Sequence, residues 1–316
     1  MREHLLSAYD LSANTQCQFY TAGLHDNYLI VDEGRKFILR VYRNAWRSTE
    51  DIQFELELLK DLQRHGCPAA FPVLTHQNNS HTKFECSGES RTMVLFSFAP
   101  GTVLGPELHQ GHCRLLGSTV AKIHQVADLC DSQHSKQVLD LDYLLDASVG
   151  AIHRFLTPEQ RAYVQSVQEK IRIHMPDLPR QAPLFGRCLG DVNPSNCHIT
   201  DDGHITVFDF DQCGYGWRAF EIGKFFATIR RHSDWKALMT SFLQGYETVR
   251  ALEVGETRAL GYFTLAADIW VMAIHAYNAD YVGYKILGPE FWARRISELK
   301  DLEAADHLWV TTARRD

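Results

Sequence analysis

The pattern of apolar and polar positions predicts strands in the amino-terminal third of this chain. Residues 19–43 predict paired strands, because the β-rich run 37–42 follows a turn-like Asp32-Glu33-Gly34. A second pair is predicted around the polar residues 76–89, and its later strand ends in the apolar run 93–98. This part of the chain therefore predicts a small sheet.

A helix is predicted between the two pairs of strands. Residues 48–51 (Ser-Thr-Glu-Asp) have the side chains that favour a helix start, and apolar residues follow at helical spacing through Leu62. Gly66 and Pro68 then predict its end.

Helical periodicity dominates beyond Ala99-Pro100-Gly101, where the strand pattern breaks. Two segments show it clearly: 108–126 and 158–173. Short strands are predicted at 185–210. The pattern therefore predicts an α+β fold, with a small strand-rich lobe at residues 1–98 and a larger, mainly helical lobe at residues 99–316.

Composition narrows the function classes. With 32 Lys and Arg against 39 Asp and Glu, the net charge is −7, which argues against a nucleic-acid partner. The eight cysteines form no C-x-x-C pair and have no zinc-finger spacing. The first residues lack the apolar core of a signal peptide, and the apolar stretch 262–277, which contains Asp268 and His275, is predicted to fall short of a membrane span. We expect a cytoplasmic protein without a membrane partner.

The chemistry is concentrated between residues 190 and 211. The stretch 190–196 (Gly-Asp-Val-Asn-Pro-Ser-Asn) has the form D-x-x-x-x-N, and the apolar strand 205–208 leads into Asp209-Phe210-Asp211. Between them, Asp201-Asp202-Gly203 predicts a hairpin turn. Such a hairpin would bring Asn196 and Asp209 towards each other, near Asp191.

Phosphoryl transfer requires this set of side chains. Magnesium takes oxygen ligands, so Asn196 and Asp209 are candidates to hold it together with the phosphates of ATP. A separate carboxylate, Asp191, is the candidate catalytic base that orients the attacking hydroxyl and accepts its proton. Asp211 would lie on the same face as Asp209 if the strand continued, as an outer or second metal group.

These motifs resemble the group of aminoglycoside phosphotransferases, choline kinases and homoserine kinases, which share the protein-kinase-like two-lobed fold. That family has H-G-D-x-H-P-x-N followed by a strand and I-D-F-D or a similar sequence. Here Leu189 stands in place of the histidine that braces the loop, and Asn193 in place of a second histidine near the transferred phosphate. The resemblance implies that Asn193 contacts the nucleotide.

The resemblance also implies nucleotide-binding residues in the amino-terminal lobe. Arg40 falls where the family places a basic residue that contacts the inner phosphates, and a guanidinium can serve there. Glu55 falls where a helix supplies its pairing carboxylate, with Glu57 as the alternative register. Ser97 and Phe98 fall in the hinge that contacts adenine.

The sequence therefore predicts an ATP- and magnesium-dependent phosphotransferase that acts on the hydroxyl of a small molecule. The acceptor stays open among an amino alcohol, an amino acid such as homoserine, an aminoglycoside and a sugar, and so does the oligomeric state. A protein serine/threonine kinase is the first alternative. A nucleotide-binding pseudokinase is the second, supported only by Leu189.

Overall fold

A computed structural model describes residues 1–86, 88–282 and 287–305. The described strands are β1 (Gln16–Ala22), β2 (Asp26–Asp32), β3 (Arg35–Val41), β4 (Thr82–Cys86), β5 (Glu89–Ser97), β6 (Thr102–Val103), β7 (Phe185–Cys188), β8 (Cys197–Ile199), β9 (Ile205–Val207) and β10 (Gly214–Trp217). The described α-helices are α1 (Arg2–Ala8), α2 (Thr49–Arg64), α3 (Gln110–Ala127), α4 (Ser148–Ile152), α5 (Pro158–His174), α6 (Arg218–Ile229), α7 (Trp235–Glu247), α8 (Val254–Tyr277), α9 (Ala279–Val282) and α10 (Pro289–Ala304).

The chain forms two compact units. The strand-rich unit comprises Met1–Val103, Cys130–Lys136 and Cys197–Asp211. The helical unit comprises Leu104–Leu129, Gln137–Asn196 and Gln212–Asp316.

The strand-rich unit contains the predicted sheet, in the order β1-β2-β3-β5-β4 with antiparallel neighbours. The β2–β3 turn uses Glu33 and Gly34 at positive φ (49° and 83°), as a tight hairpin with the twist of its strands requires. Helix α2 begins with a capping box, in which Ser48 and Asp51 each accept a hydrogen bond from the other's backbone N–H. These elements confirm the predicted helix and the strands predicted at 19–43. The second pair is present as β4 and β5, but β4 lies within the polar stretch 76–89, which was predicted to separate the two strands.

The predicted hairpin after Asn196 is also present in the strand-rich unit. Strand β8 pairs with β9 from Cys197↔Val207 to Ile199↔Ile205, and β6 extends this small sheet. The backbone N–H of Gly203 donates to Thr200 O across the turn. Strand β9 ends at Val207, so Asp209 lies outside the strand. Its backbone is in the left-handed region, with φ of 66°. The hairpin is confirmed, but the strand does not continue to Asp211.

In the helical unit, α3 packs on α7 and α6 packs on α8. The first crossing is close, because a Cβ on Gly117 would lie 2.1 Å from Phe242 O and one on Gly245 would lie 1.8 Å from Arg114 O. Glycine at both positions therefore allows the two backbones to approach.

Helix α8 forms the centre of the helical unit. The apolar stretch predicted at 262–277 is part of a longer helix of 24 residues, which is long and apolar enough to cross a membrane by length and composition. The prediction that this apolar stretch is too short to span a membrane was therefore wrong for the helix that contains it. However, 78% of its most apolar 18-residue window is buried within the protein, as in a core helix.

Candidate active site

One cavity in the strand-rich unit brings together several predicted site residues. It contains about 600 Å³ of empty space and opens to solvent. Its walls include the predicted Arg40, Glu55, Ser97, Phe98 and Asp209. Its remaining walls are mostly apolar: Tyr20, Ile38, Leu59, Ala70, Phe96, Ala99, His198, Phe208 and Phe210. An apolar pocket with a few convergent charges is typical of a ligand site.

Arg40 joins two acidic side chains at the wall of this cavity. Its Nη1 lies 3.3 Å from Glu55 Oε1, and its Nη2 donates to Asp209 Oδ1 at 2.8 Å. The Arg40 Nε is buried and has no hydrogen-bond partner in the described part of the chain. A buried guanidinium with a donor to spare is suited to an anionic ligand.

Helix α2 places Glu55, and not the alternative Glu57, against Arg40. Glu55 accepts from Arg40 through one oxygen and from Tyr42 Oη, at 2.9 Å, through the other. Burial raises the pKa of Glu55, although Arg40 lowers it. Glu57 instead accepts from Ser132 and from the backbone of Gln133.

Asp211 has a structural environment distinct from that of Asp209. Both of its carboxylate oxygens are occupied: His25 and Arg47 bond Oδ1 at 2.8 Å, and Trp46 and Arg47 bond Oδ2 at 3.0 and 2.9 Å. Burial would raise its pKa, but Arg47 and His25 hold the pKa of Asp211 well below its usual range. These contacts anchor the turn before β2 and the approach to α2.

In the helical unit, the candidate base Asp191 is held by two side chains. Asn196 Nδ2 lies 3.1 Å from Asp191 Oδ2 and 3.2 Å from Asp191 O. Lys224 Nζ lies 3.0 Å from Thr228 Oγ1 and 2.6 Å from Asp191 Oδ1. Because the Asn196 amide nitrogen bonds Asp191, its oxygen is the end that can coordinate a cation.

Asn193 stabilises the turn of this loop. Its Oδ1 accepts from Ser195 N and its backbone oxygen accepts from Asn196 N, both at 2.9 Å. The side chain thereby closes the turn around Pro194.

The loop is braced from α6 although Leu189 replaces the expected histidine. The buried Glu221 accepts from Leu189 N at 2.9 Å and from Gly190 N at 2.6 Å. Gly190 has φ of 89°, and a Cβ there would lie 1.8 Å from Gln212 O, so only glycine fits. The carboxylate therefore supplies the bracing that appeared to be missing from the sequence.

Glu221 is itself positioned by His124. His124 Nε2 lies 2.7 Å from Glu221 Oε2, and its Nδ1 lies 2.8 Å from Tyr246 Oη. Cys188 is close enough to complete a set of metal-ligand types, but Arg218 Nη1 lies 3.6 Å from its Sγ. Since these atoms already have partners and a guanidinium adjoins them, the cluster is a hydrogen-bonded support for the loop.

Sequence reasoning missed Lys224 and Glu221. Both lie on α6, whose other residues are almost all apolar and buried. Charged residues in such a helix need buried partners of their own. The two charges three positions apart in an apolar sequence are therefore a signal that could have identified Glu221 and Lys224.

We expect Glu221→Ala to destabilise the protein by about 3–5 kcal/mol, because it leaves two buried N–H groups without an acceptor. Urea unfolding measures this change. Glu247→Ala, at an exposed carboxylate on α7, is the matched control. Equal stability of the two variants would contradict the bracing role.

His124 makes stability depend on pH. Burial, helped by Arg218 and opposed by Glu221, lowers its pKa from 6.5 to about 4. A histidine that is neutral when folded loses stability as pH falls below its unfolded pKa, so we expect about 3 kcal/mol to be lost between pH 6.5 and 4. Unfolding of His124→Gln should show a smaller loss over this range. The same loss in both proteins would rule out His124 as its source.

The sequence of this chain matches a family model and several known proteins. Residues 16–260 match the model described as the phosphotransferase enzyme family. An uncharacterized protein of Synechocystis sp. is 33% identical over 301 residues, which span 94% of this chain and 83% of that protein. A homoserine kinase of Phenylobacterium zucineum is 25% identical over 289 residues, spanning 88% and 85% of the two chains.

Solved structures show the same fold. An amicoumacin kinase in complex with AMP-PNP, Ca²⁺ and Ami has a TM-score of 0.79 at 19% identity, covering 95% of this chain and 92% of that one. A microcompartment-associated aminopropanol kinase also has a TM-score of 0.79 at 19% identity, covering 99% and 97%. The predicted α+β, kinase-like fold is confirmed.

Proposed function

We propose that this chain, which belongs to the phosphotransferase enzyme family, transfers the γ-phosphate of ATP to a hydroxyl group of a small molecule in the cytoplasm. The observation that carries the proposal is the link from Arg40 to both Glu55 and Asp209 at the wall of an apolar cavity. A buried guanidinium with an unpartnered Nε supports a role on the inner phosphates, and Ser97 and Phe98 support contact with the base of the nucleotide.

Asp191 is the proposed base. The bonds from Asn196 and Lys224 restrict its rotation, so its carboxylate can orient an acceptor hydroxyl. The hydroxyl proton passes to Asp191, and the acceptor oxygen forms a bond to the γ-phosphorus. The bond between that phosphorus and the β–γ bridging oxygen breaks, and ADP leaves with the electron pair.

Asn196 and Asp209 are the proposed magnesium ligands, and each offers an oxygen of the type that magnesium prefers. Asn196 offers an amide oxygen, and Asp209 has a half-exposed carboxylate of which only Oδ1 is bonded to Arg40. Hard cations prefer such oxygen ligands. When bound, the metal would neutralise the charge on the phosphates; Asn193 is proposed to support this loop beside the nucleotide.

The test is ATP turnover with magnesium, measured as ADP release against a panel of small hydroxyl compounds. We expect one class of compound to stimulate ADP release and to gain phosphate in equal amount. Nucleotide binding without stimulation by any compound would contradict the proposal. A parallel search by mass spectrometry for phosphate on a generic protein substrate then distinguishes a protein kinase from a pseudokinase.

A further inference from the structure

A second cavity, within the helical unit, adjoins the loop that carries Asp191. It contains about 510 Å³ of empty space. Its charged lining consists of Lys224, Arg230, Arg231, Asp268 and Arg295, and its uncharged polar residues are Asn193 and Thr228. Of these residues, Lys224 contacts Asp191, and Asn193 lies two positions after Asp191 in the chain. A molecule in this cavity would therefore lie beside the proposed base.

The lining of this cavity is strongly cationic. It has four basic side chains and one acidic side chain. The single carboxylate, Asp268, is already bonded through Oδ1 to Arg230 Nη2 at 3.1 Å and to Arg295 Nη2 at 2.8 Å. Glu298 pairs with the same two guanidiniums and with Arg231. Even with Glu298 included, three guanidiniums face two carboxylates.

The guanidiniums retain unused donors. The Nε atoms of Arg230 and Arg295 are buried and have no hydrogen-bond partner within the described residues. Arg295 is more than nine-tenths buried. Burial lowers the pKa of Arg230, and the neighbouring Arg295 and Arg231 lower it further against the opposing effect of Asp268 and Glu298. A bound anion would offset this repulsion between the guanidiniums.

We infer that the phosphate acceptor carries an anionic group, a carboxylate or a phosphate monoester, which Arg230, Arg231 and Arg295 bind while its hydroxyl reaches Asp191. This inference rests on the proposed function and narrows its acceptor. Compounds that carry only amino groups are disfavoured, because burying an ammonium among these side chains would add like charge.

Matched acceptors test the charge requirement. The pairs are serine against ethanolamine, homoserine against 3-aminopropanol, and glycerate and glycerol 3-phosphate against glycerol. We expect the member of each pair that carries a carboxylate or phosphate to have a kcat/KM at least about tenfold higher, as one charge-assisted contact provides. Comparison of glycerate with glycerol 3-phosphate shows whether the anionic group of the acceptor is a carboxylate or a phosphate monoester.

The outcomes separate this inference from the proposed function. Turnover that is equal or better with the members that lack a carboxylate or phosphate would overturn the inference of an anionic group on the acceptor and leave the kinase intact. Lack of turnover with every member, and with the wider panel, would contradict the kinase itself.

Substitution at the mouth of the cavity provides a second test. Arg231 is 61% exposed and pairs with Glu298, so Arg231→Gln should fold normally. We expect the KM for the anionic acceptor to rise about tenfold, with kcat and the KM for ATP nearly unchanged and partial rescue by Arg231→Lys.

Arg294→Gln is the matched control, because Arg294 is exposed on α10 next to Arg295 and lies outside the cavity lining. It should leave the KM unchanged. An unaltered KM in Arg231→Gln, or an equal rise in both variants, would overturn the assignment.

Discussion

Asp191→Ala is expected to lower kcat by about 10²–10⁴-fold, the usual contribution of a positioned general base. The affinity for ATP should change little, because the proposed nucleotide contacts of Arg40 and Glu55 do not involve Asp191. Pre-steady-state and steady-state phosphate transfer to the acceptor measure the effect. Asp191→Asn, which keeps the shape but cannot accept the proton, should be similarly impaired.

The control for Asp191 is Asp201→Asn, at an exposed carboxylate in the turn between β8 and β9. It should retain full turnover. Turnover in Asp191→Ala that matched this control would show that another group accepts the proton, and Asp191 would then have only a structural part in the loop.

Asp209→Asn is expected to remove the dependence of nucleotide affinity on magnesium. Asparagine keeps the size of the side chain and tolerates the left-handed backbone that Asp209 adopts, with φ of 66°. It loses the charge that binds Arg40 and that would hold the cation. We expect affinity for ATP with magnesium to fall by at least about tenfold, equivalent to about 1.4 kcal/mol.

Titration calorimetry with a non-hydrolysable ATP analogue, with and without magnesium, measures this effect. In the wild type, and in Asp201→Asn, magnesium should strengthen binding. An Asp209→Asn protein that still bound the analogue more tightly with magnesium would exclude Asp209 as a metal ligand.

Much of the local structure followed from the sequence because neighbouring residues determine it. The Glu33-Gly34 turn, the Ser48–Asp51 capping box and the Asp201–Gly203 hairpin all depend on contacts between residues a few positions apart. Helical spacing likewise predicted α5 with nearly its observed ends.

Distant contacts were less predictable. Arg40 and Asp209, 169 positions apart, were each predicted as site residues, but only the fold joins them in an ion pair. The sequence placed Asp211 beside Asp209 only on the condition that the strand continued. Strand β9 ends at Val207, so that condition is not met.

The sequence by itself determined the α+β fold class and the residues at which the chemistry is expected, since periodicity and motif spacing are local properties. Only the tertiary structure decided that Glu221 braces the loop, that Lys224 contacts Asp191 and that three arginines gather at one cavity. The physical reason is that burial and pairing of charge depend on helices packed from distant parts of the chain, and a linear pattern does not specify which of its charged residues will meet.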